Sequence, residues 1–300
     1  QGWHITGTVG VMGAAGGAAF LLNLGSSQFT SALGLSGTQA GGVREVFGTH
    51  AKALHAGKAA SNGLQAALLA EQGLEGPLDI IGGSRGFWAV LSGSGFNPEI
   101  ISDSLGSHWE MGSNGLKPYA NGVVSHALQD ALIGLREQYG LLTDEVEAIS
   151  LTVNPLVFEL MNRPNPQTSL EAKFSFQHGA AIALTDGQVL NDQFDLSRVN
   201  DPLVMGLRGR ISALPDPTLE EDSAHVMVKK IDGSSIEMFV NHASGSPKNP
   251  MTDKALDEKF LALATKILPD GQARQLLAVA RDAENITDVK AIMSLTRPAR

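Results

Sequence analysis

Lys52, His55 and Lys58 fall close together in the stretch GTHAKALHAGKAASNG, residues 48–63, among residues that are otherwise small. On a helix, positions three apart are neighbours, so Lys52 and His55 would share a face. Ala51, Ala53, Ala56, Gly57, Ala59 and Ala60 leave room for a second element or a ligand to approach. A cation and an imidazole beside bare backbone suit an anionic substrate. The plainer alternative is a tightly packed helix with Lys and His at its wet edge. His4 and Thr8 stand four apart near the start of another glycine-rich stretch. A helix N-terminus there would offer free N–H groups to an anion, or the two side chains would do no more than cap it.

Other chemistry is thinner. The chain has eight histidines and no H-E-x-x-H or similar close pair, which gives a zinc site little support and points to no metal. His178, His225 and His242 read as surface or satisfied histidines, and His108 beside Trp109 stays undecided. Lys117, Tyr119, Ser125 and His126 follow one another in LKPYANGVVSHALQDALIGLREQYG. Gly82-Gly83-Ser84-Arg85-Gly86 fits G-x-S-x-G, the turn that exposes a nucleophilic serine in hydrolases. The surrounding chain lacks the alternating strands and helices that such a turn needs, so a serine hydrolase at Ser84 is kept only as a rival.

These residues must be positioned by a 300-residue chain, long enough for a sizeable core and two domains. Its 43% hydrophobic and 18% charged residues describe a folded protein. A formal net charge of -9 argues against a nucleic-acid partner. The absence of cysteine excludes disulfides and thiolate catalysis. No stretch reads as a membrane span, and the first residues lack the basic region of a signal peptide. A dinucleotide site is also excluded, because the early glycines contain no G-x-G-x-x-G and follow no strand.

The first part reads as helical. Gly7, Gly10, Gly13 and Gly16 form a strip along a helix over 2–24, against which a neighbouring backbone would pack closely. Further helices are expected over 27–39 and 51–72, the latter stopped by Gly73 and Pro77. After the Gly, Pro and Asn residues of 115–121 the texture changes. A helix over 124–139 ends at Gly140. Strands are expected over 145–153, 225–230 and 236–240, the last two joined at Asp232-Gly233, with a helix over 174–183. Helices over 254–268 and 272–283 close the chain. The resulting division is a helical domain over 1–116, an α+β domain over 117–250, and helices over 251–300 that are allowed to return to the first domain.

Four separated blocks, GWHITGTVGVMGAAGGAA, REVFGTHAKALHAGKAASNGLQAALLA, KPYANGVVSHALQDA and EAKFSFQHGAAIAL, resemble the MmgE/PrpD family in order and rough spacing. The resemblance spans nearly the whole chain. It implies a large α-helical domain with a smaller α+β lid domain, a homodimer, and a cytoplasmic lyase or isomerase of small polycarboxylates. Such enzymes, which include 2-methylcitrate dehydratases, cis-aconitate decarboxylases and iminodisuccinate epimerases, move a proton next to a carboxylate and need no cofactor or metal. By resemblance His4, Lys52 and His126 are catalytic, and Thr8, His55, Lys117 and Tyr119 bind substrate. Lys52 and Lys117 would hold carboxylates as point charges, and His4 would exchange the proton.

The chain also departs from the family. Ala120 replaces the proline of its K-x-[FYW]-P motif, and Gly122 stands where the resembled cis-aconitate decarboxylases carry histidine. The family's aspartate-rich N-terminal segment and a further active-site histidine have no counterpart, and Gln1 is not an initiator Met. The sequence therefore reads as the later two-thirds of a family member. A 2-methylcitrate dehydratase-like lyase is the expectation, with a non-catalytic fragment as its rival.

Overall fold

The computed structural model describes residues 2–92, 95, 97 and 99–298. They form two compact units, Gln1–Glu110 and Met111–Arg300. No helix among the described residues is long and apolar enough to cross a membrane.

The first unit is helical: α1 (Ile5–Leu21), α2 (Ser26–Gly37), α3 (Ala51–Glu71), and the short α4 (Phe87–Leu91) and α5 (Glu99–Ser102). The first three pack on one another. Their contact surface is built from Ala15, Ala19, Ala32, Ala66, Ala67 and Ala70, all fully buried. Side chains this small bring helix axes close, and the decisive approach is at Gly63 of α3. A Cβ there would lie 2.6 Å from the Val11 carbonyl oxygen and 2.7 Å from the Ala15 nitrogen. The expected glycine strip on α1 is only partly used. Gly7 lies against the Gly41 carbonyl, where a Cβ would come within 2.5 Å, whereas a Cβ on Gly13 would meet nothing within 4 Å.

Residues 78–86 run in turns, without a strand, into α4, and Ser84 is exposed. G-x-S-x-G thus lacks the strand that strains and presents a nucleophile, and the hydrolase rival loses its structural support.

The second unit is α+β. A 3-10 turn at Val123–Ser125 leads into α6 (His126–Tyr139), which ends at Gly140 with φ 61°. Then come β1 (Val146–Val153), α7 (Pro155–Met161), α8 (Ser169–Ala172), α9 (Phe176–Asp186), α10 (Leu196–Val199), α11 (Pro202–Arg208), β2 (Ile211–Pro215), β3 (Ala224–Lys230) and β4 (Ser235–Val240). The sheet has four strands in the order β2-β1-β3-β4. β1 pairs parallel with β2 and antiparallel with β3, and β3 forms the expected hairpin with β4 across Gly233, φ 86°. β2 leaves little signal in the sequence, because no position in it is fully buried and it ends on a proline, which a sheet tolerates at its edge.

Between β1 and the sheet's helical cover lies a single core. It includes Leu128, Leu132 and Leu135 of α6, Ile149 and Leu151 of β1, and Ile182 and Leu184 of α9. α9 is buried continuously from Phe176 to Leu184, so its sequence shows no polar face. α12 (Asp253–Ala264), α13 (Asp270–Arg281) and α14 (Lys290–Leu295) follow. These helices, which the sequence allowed to return to the first domain, fall within the second unit. They share a small core at Leu268, Ala273 and Leu276, Arg281 pairs with Asp253 and Asp257, and Lys266 pairs with Asp192.

Two glycines with contrasting surroundings make a direct test. Gly63→Ala should destabilise the protein by about 1–3 kcal/mol, because backbone rather than a movable side chain blocks the new methyl. Gly13→Ala should be neutral or stabilising by up to about 1 kcal/mol, since helical alanine replaces glycine in open space. Urea unfolding of both variants measures the contrast.

Candidate functional site

In the first unit a short strap holds the start of α1. Trp3 and Val43 form an antiparallel bridge, the His4 amide donates to the Gly42 carbonyl at 3.0 Å, and the Arg44 amide donates to the Gly2 carbonyl at 2.8 Å. Gly42 sits at φ 140°, and a Cβ there would come within 2.9 Å of the His55 ring. Glycine is therefore what lets the strap close over that imidazole. His4 is the N-cap of α1 by backbone position, yet its ring makes no cap hydrogen bond. Instead its Nδ1 lies 2.8 Å from Nδ1 of His55, one turn into α3. Phe47 stands edge-on to the His4 ring, centroids 5.0 Å apart, and the Lys52 ammonium lies 4.4 Å from the Phe47 centroid. The capping alternative for His4 thus fails.

The Nδ1–Nδ1 contact requires one ring to donate and the other to accept. Whichever way it runs, one proton lies between the rings, and the tautomer chosen sets which outer Nε2 is a base. Protonating both rings would put two cations side by side and leave neither Nδ1 to accept. Burial, then His55, Lys52 and Arg44, hold the His4 pKa below the usual 6.5, so His4 is the neutral imidazole at pH 7. Burial also lowers the Lys52 pKa. Thr8 is buried and its hydroxyl hydrogen-bonds back to the His4 and Ile5 carbonyls at 3.2 and 3.3 Å. That hydroxyl belongs to the helix's own backbone and not to an open binding surface. Lys58 and His50 are exposed.

The second unit holds a cavity of about 540 Å³. Lys117, His126, Glu221, Asp222, Ser244 and Ser246 contribute to its lining. His126, the first residue of α6, is fully buried, and among the described residues neither ring nitrogen makes a well-formed hydrogen bond. Burial, helped by the Lys117 cation and opposed by the Asn121 backbone, pushes its pKa down to about 4. It too is neutral at pH 7. Its neighbours Asn121 and Gln129 are also buried with unpartnered side-chain atoms among the described residues. Lys117 is exposed, with its ammonium 3.3 Å from the Asn121 carbonyl. The Tyr119 hydroxyl donates to Asp130, and its ring stands edge-on to His126 with centroids 5.1 Å apart. Burial and the Asp130 charge raise the phenol far above its ordinary range, which keeps it a donor.

Comparison with known proteins follows the same division. The MmgE/PrpD N-terminal domain matches residues 1–99, and the MmgE/PrpD C-terminal domain matches residues 119–285. The chain belongs to the MmgE/PrpD family. Similar curated proteins include cis-aconitate decarboxylase of Homo sapiens, 27% identical over 98% of this chain and 63% of that protein. That of Mus musculus is 28% identical over 98% of this chain and 62% of that protein. That of Aspergillus terreus is 25% identical over 98% of this chain and 64% of that protein. The chain therefore spans less than two thirds of the length of these relatives.

Of the site residues expected from sequence, the structure brings His4, Lys52 and His55 together, with Thr8 behind them, and separately Lys117, Tyr119 and His126. Sequence reading passed over Phe47, Gly42 and Asp130. Asp130 left one signal, a carboxylate four residues after His126 on an otherwise apolar helix face. His108 sits exposed beside Glu110 at 3.2 Å, and His178 is buried with Nε2 2.8 Å from the Gln193 carbonyl. His225 and His242 pair with Glu237 and Asp222, each at 3.1 Å.

Two titrations check this electrostatic picture. In His55→Asn the His4 pKa should rise towards 6.5, because one of the charges that opposes its protonation is gone; histidine ¹³C NMR reads it. Folding stability should be full above about 6.5 and drain as the pH falls to about 4. The sign follows from His126 and His178, whose folded values near 4 lie below the unfolded 6.5, so the unfolded chain takes up protons first. Each contributes on the order of 3 kcal/mol to the loss. His178→Gln should flatten the slope of denaturation midpoint against pH.

Proposed function

We propose that this MmgE/PrpD protein carries the machinery of a lyase that acts on a small polycarboxylate by proton transfer beside a carboxylate. The observation that carries it is the His4–His55 contact at 2.8 Å next to Lys52. A neutral His4 can take a proton from carbon, and the pair can relay it through the shared Nδ1 position. Removing a proton next to a carboxylate leaves charge on an enediolate-like group, which the Lys52 cation favours. In dehydration the same proton inventory then serves the departing hydroxide, which leaves as water while the carbon–carbon double bond forms. In the second unit Lys117 is assigned to a substrate carboxylate as a point charge. His126, neutral and without a well-formed hydrogen bond among the described residues, is assigned to hydrogen bonding with substrate. Tyr119 and Thr8, whose hydroxyls are committed internally, are reassigned to support.

Dehydration is the preferred reaction, in the manner of a 2-methylcitrate dehydratase. The Gly122 position, where the resembled decarboxylases carry histidine, is closed by the Met161 thioether, which a Cβ on Gly122 would strike at 2.2 Å. Decarboxylation is the second reading, favoured by the cis-aconitate decarboxylases among the similar proteins. The family resemblance extends the proposal to a cytoplasmic homodimer in which the second unit supplies the lid.

The test is ¹H NMR in D₂O with 2-methylcitrate, citrate, cis-aconitate and iminodisuccinate. Exchange or elimination at the carbon beside a carboxylate is expected, and His4→Ala should slow it by about 10²-fold or more. Carbon dioxide release from cis-aconitate without dehydration of 2-methylcitrate would select the second reading. Turnover that is intact in His4→Ala would overturn the assignment of His4, and no exchange with any acid would sink the lyase.

A further inference from the structure

Asp130 has no place in the chemistry above, yet two separate walls of the second unit's cavity meet on its carboxylate. One oxygen accepts the Tyr119 hydroxyl, and the other accepts the Ser244 backbone N–H at 2.6 Å. Tyr119 belongs to the segment that carries Lys117, and Ser244 to the loop that supplies Gly245, Ser246 and Pro247. The two segments also touch each other directly. The Leu116 amide donates to the Gly245 carbonyl at 2.7 Å, and Gly245 at φ 81° leaves no room for a Cβ, which would lie 1.9 Å from the Leu116 oxygen. Lys259 adds a hydrogen bond to the Lys117 carbonyl. Asp130 stands one helical turn after His126 on α6, so both residues face the same side.

We infer that Asp130 is the positioning residue of this cavity: by holding Tyr119 and the Ser244 loop on one carboxylate, it fixes the ring edge that covers His126 and keeps Lys117 at the rim. The cavity's use as a carboxylate subsite rests on the function proposed above. The positioning role itself is a matter of geometry. A carboxylate suits the task because it offers only acceptors, and both partners are donors. Burial raises its pKa, and hydrogen bonds from Tyr119 and from the Ser244 backbone and side chain oppose that rise. Without it, the Ser244 N–H and the tyrosine hydroxyl would both lose their acceptor. The ring would then be free to swing away, and water would reach His126.

The chain has two tyrosines, and Tyr139 is half exposed at the far end of α6, so Tyr139→Phe leaves Tyr119 as the single phenol. In that background Asp130→Ala and Asp130→Asn are compared by three readouts: phenolate absorbance, the His126 ¹³C titration assigned by its absence in His126→Gln, and kcat and KM on the acid that the NMR panel identifies. In Asp130→Ala the phenol should ionise at lower pH, and His126 should titrate at least one pH unit above its parent value. kcat/KM should fall tenfold or more, mostly through KM. Asp130→Asn should recover part of each change, since its amide oxygen still accepts from Ser244, and it serves alone if the alanine variant does not fold. Unmoved Tyr119 and His126 titrations in a folded variant would overturn the inference. So would moved titrations with kcat/KM unchanged. If the parent protein turns over none of the acids, the lyase proposal fails, and the two titrations still decide the role of Asp130.

Discussion

Two imidazole nitrogens 2.8 Å apart hold one proton between them and resist a second, and the first unit is arranged to produce that separation. His4 sits where α1 begins and His55 one turn into α3, so their spacing is set by how closely these helices pack. That packing depends on alanines and on Gly63, whose lack of a side chain lets the α1 backbone settle against it. Gly42 then folds the strap over the His55 ring at a φ of 140°. A Cβ at Gly42 would press on the His55 ring at 2.9 Å and turn it out of line with His4, and hydrogen bonds weaken steeply once their angle is lost.

The second unit handles its histidine in the opposite way. His126 makes no well-formed hydrogen bond among the described residues and is kept neutral by burial beside a lysine. A neutral ring without a well-formed hydrogen bond is costly to bury, and that cost is acceptable where a ligand supplies the missing partner. Asn121 and Gln129 beside it share the same deficiency. The polar groups that are fully satisfied, Tyr119 and Asp130, form the frame around the ones that are not. Membership of the MmgE/PrpD family agrees with this distribution, since the matched domains cover both histidine sites.

Much of this was legible in the chain. The helices α1, α2, α3 and α6 and the β3–β4 hairpin were marked by apolar spacing, stop glycines and Asp-Gly. The association of Lys52 with His55 followed from their spacing on one helix. Less was legible where a signal was short or shared. β2 is a five-residue edge strand without a fully buried position. α9, expected over 174–183, is present at Phe176–Asp186 although its burial from Phe176 to Leu184 leaves it no polar face. The glycine strip on α1 misled because glycines permit close approach without saying which of them uses it.

By itself the sequence determined the family, the order of helices and strands, and the residue types available for proton transfer and carboxylate binding, since these depend on local periodicity and on four blocks of neighbouring residues. Only the tertiary structure decided that His4 meets His55, residues 51 positions apart in the chain. It likewise decided that Tyr119 is spent on Asp130, and that Asp130 reaches the Ser244 backbone 114 positions away. Such contacts arise from the packing of distant segments, and nothing in the local pattern of either segment encodes its partner.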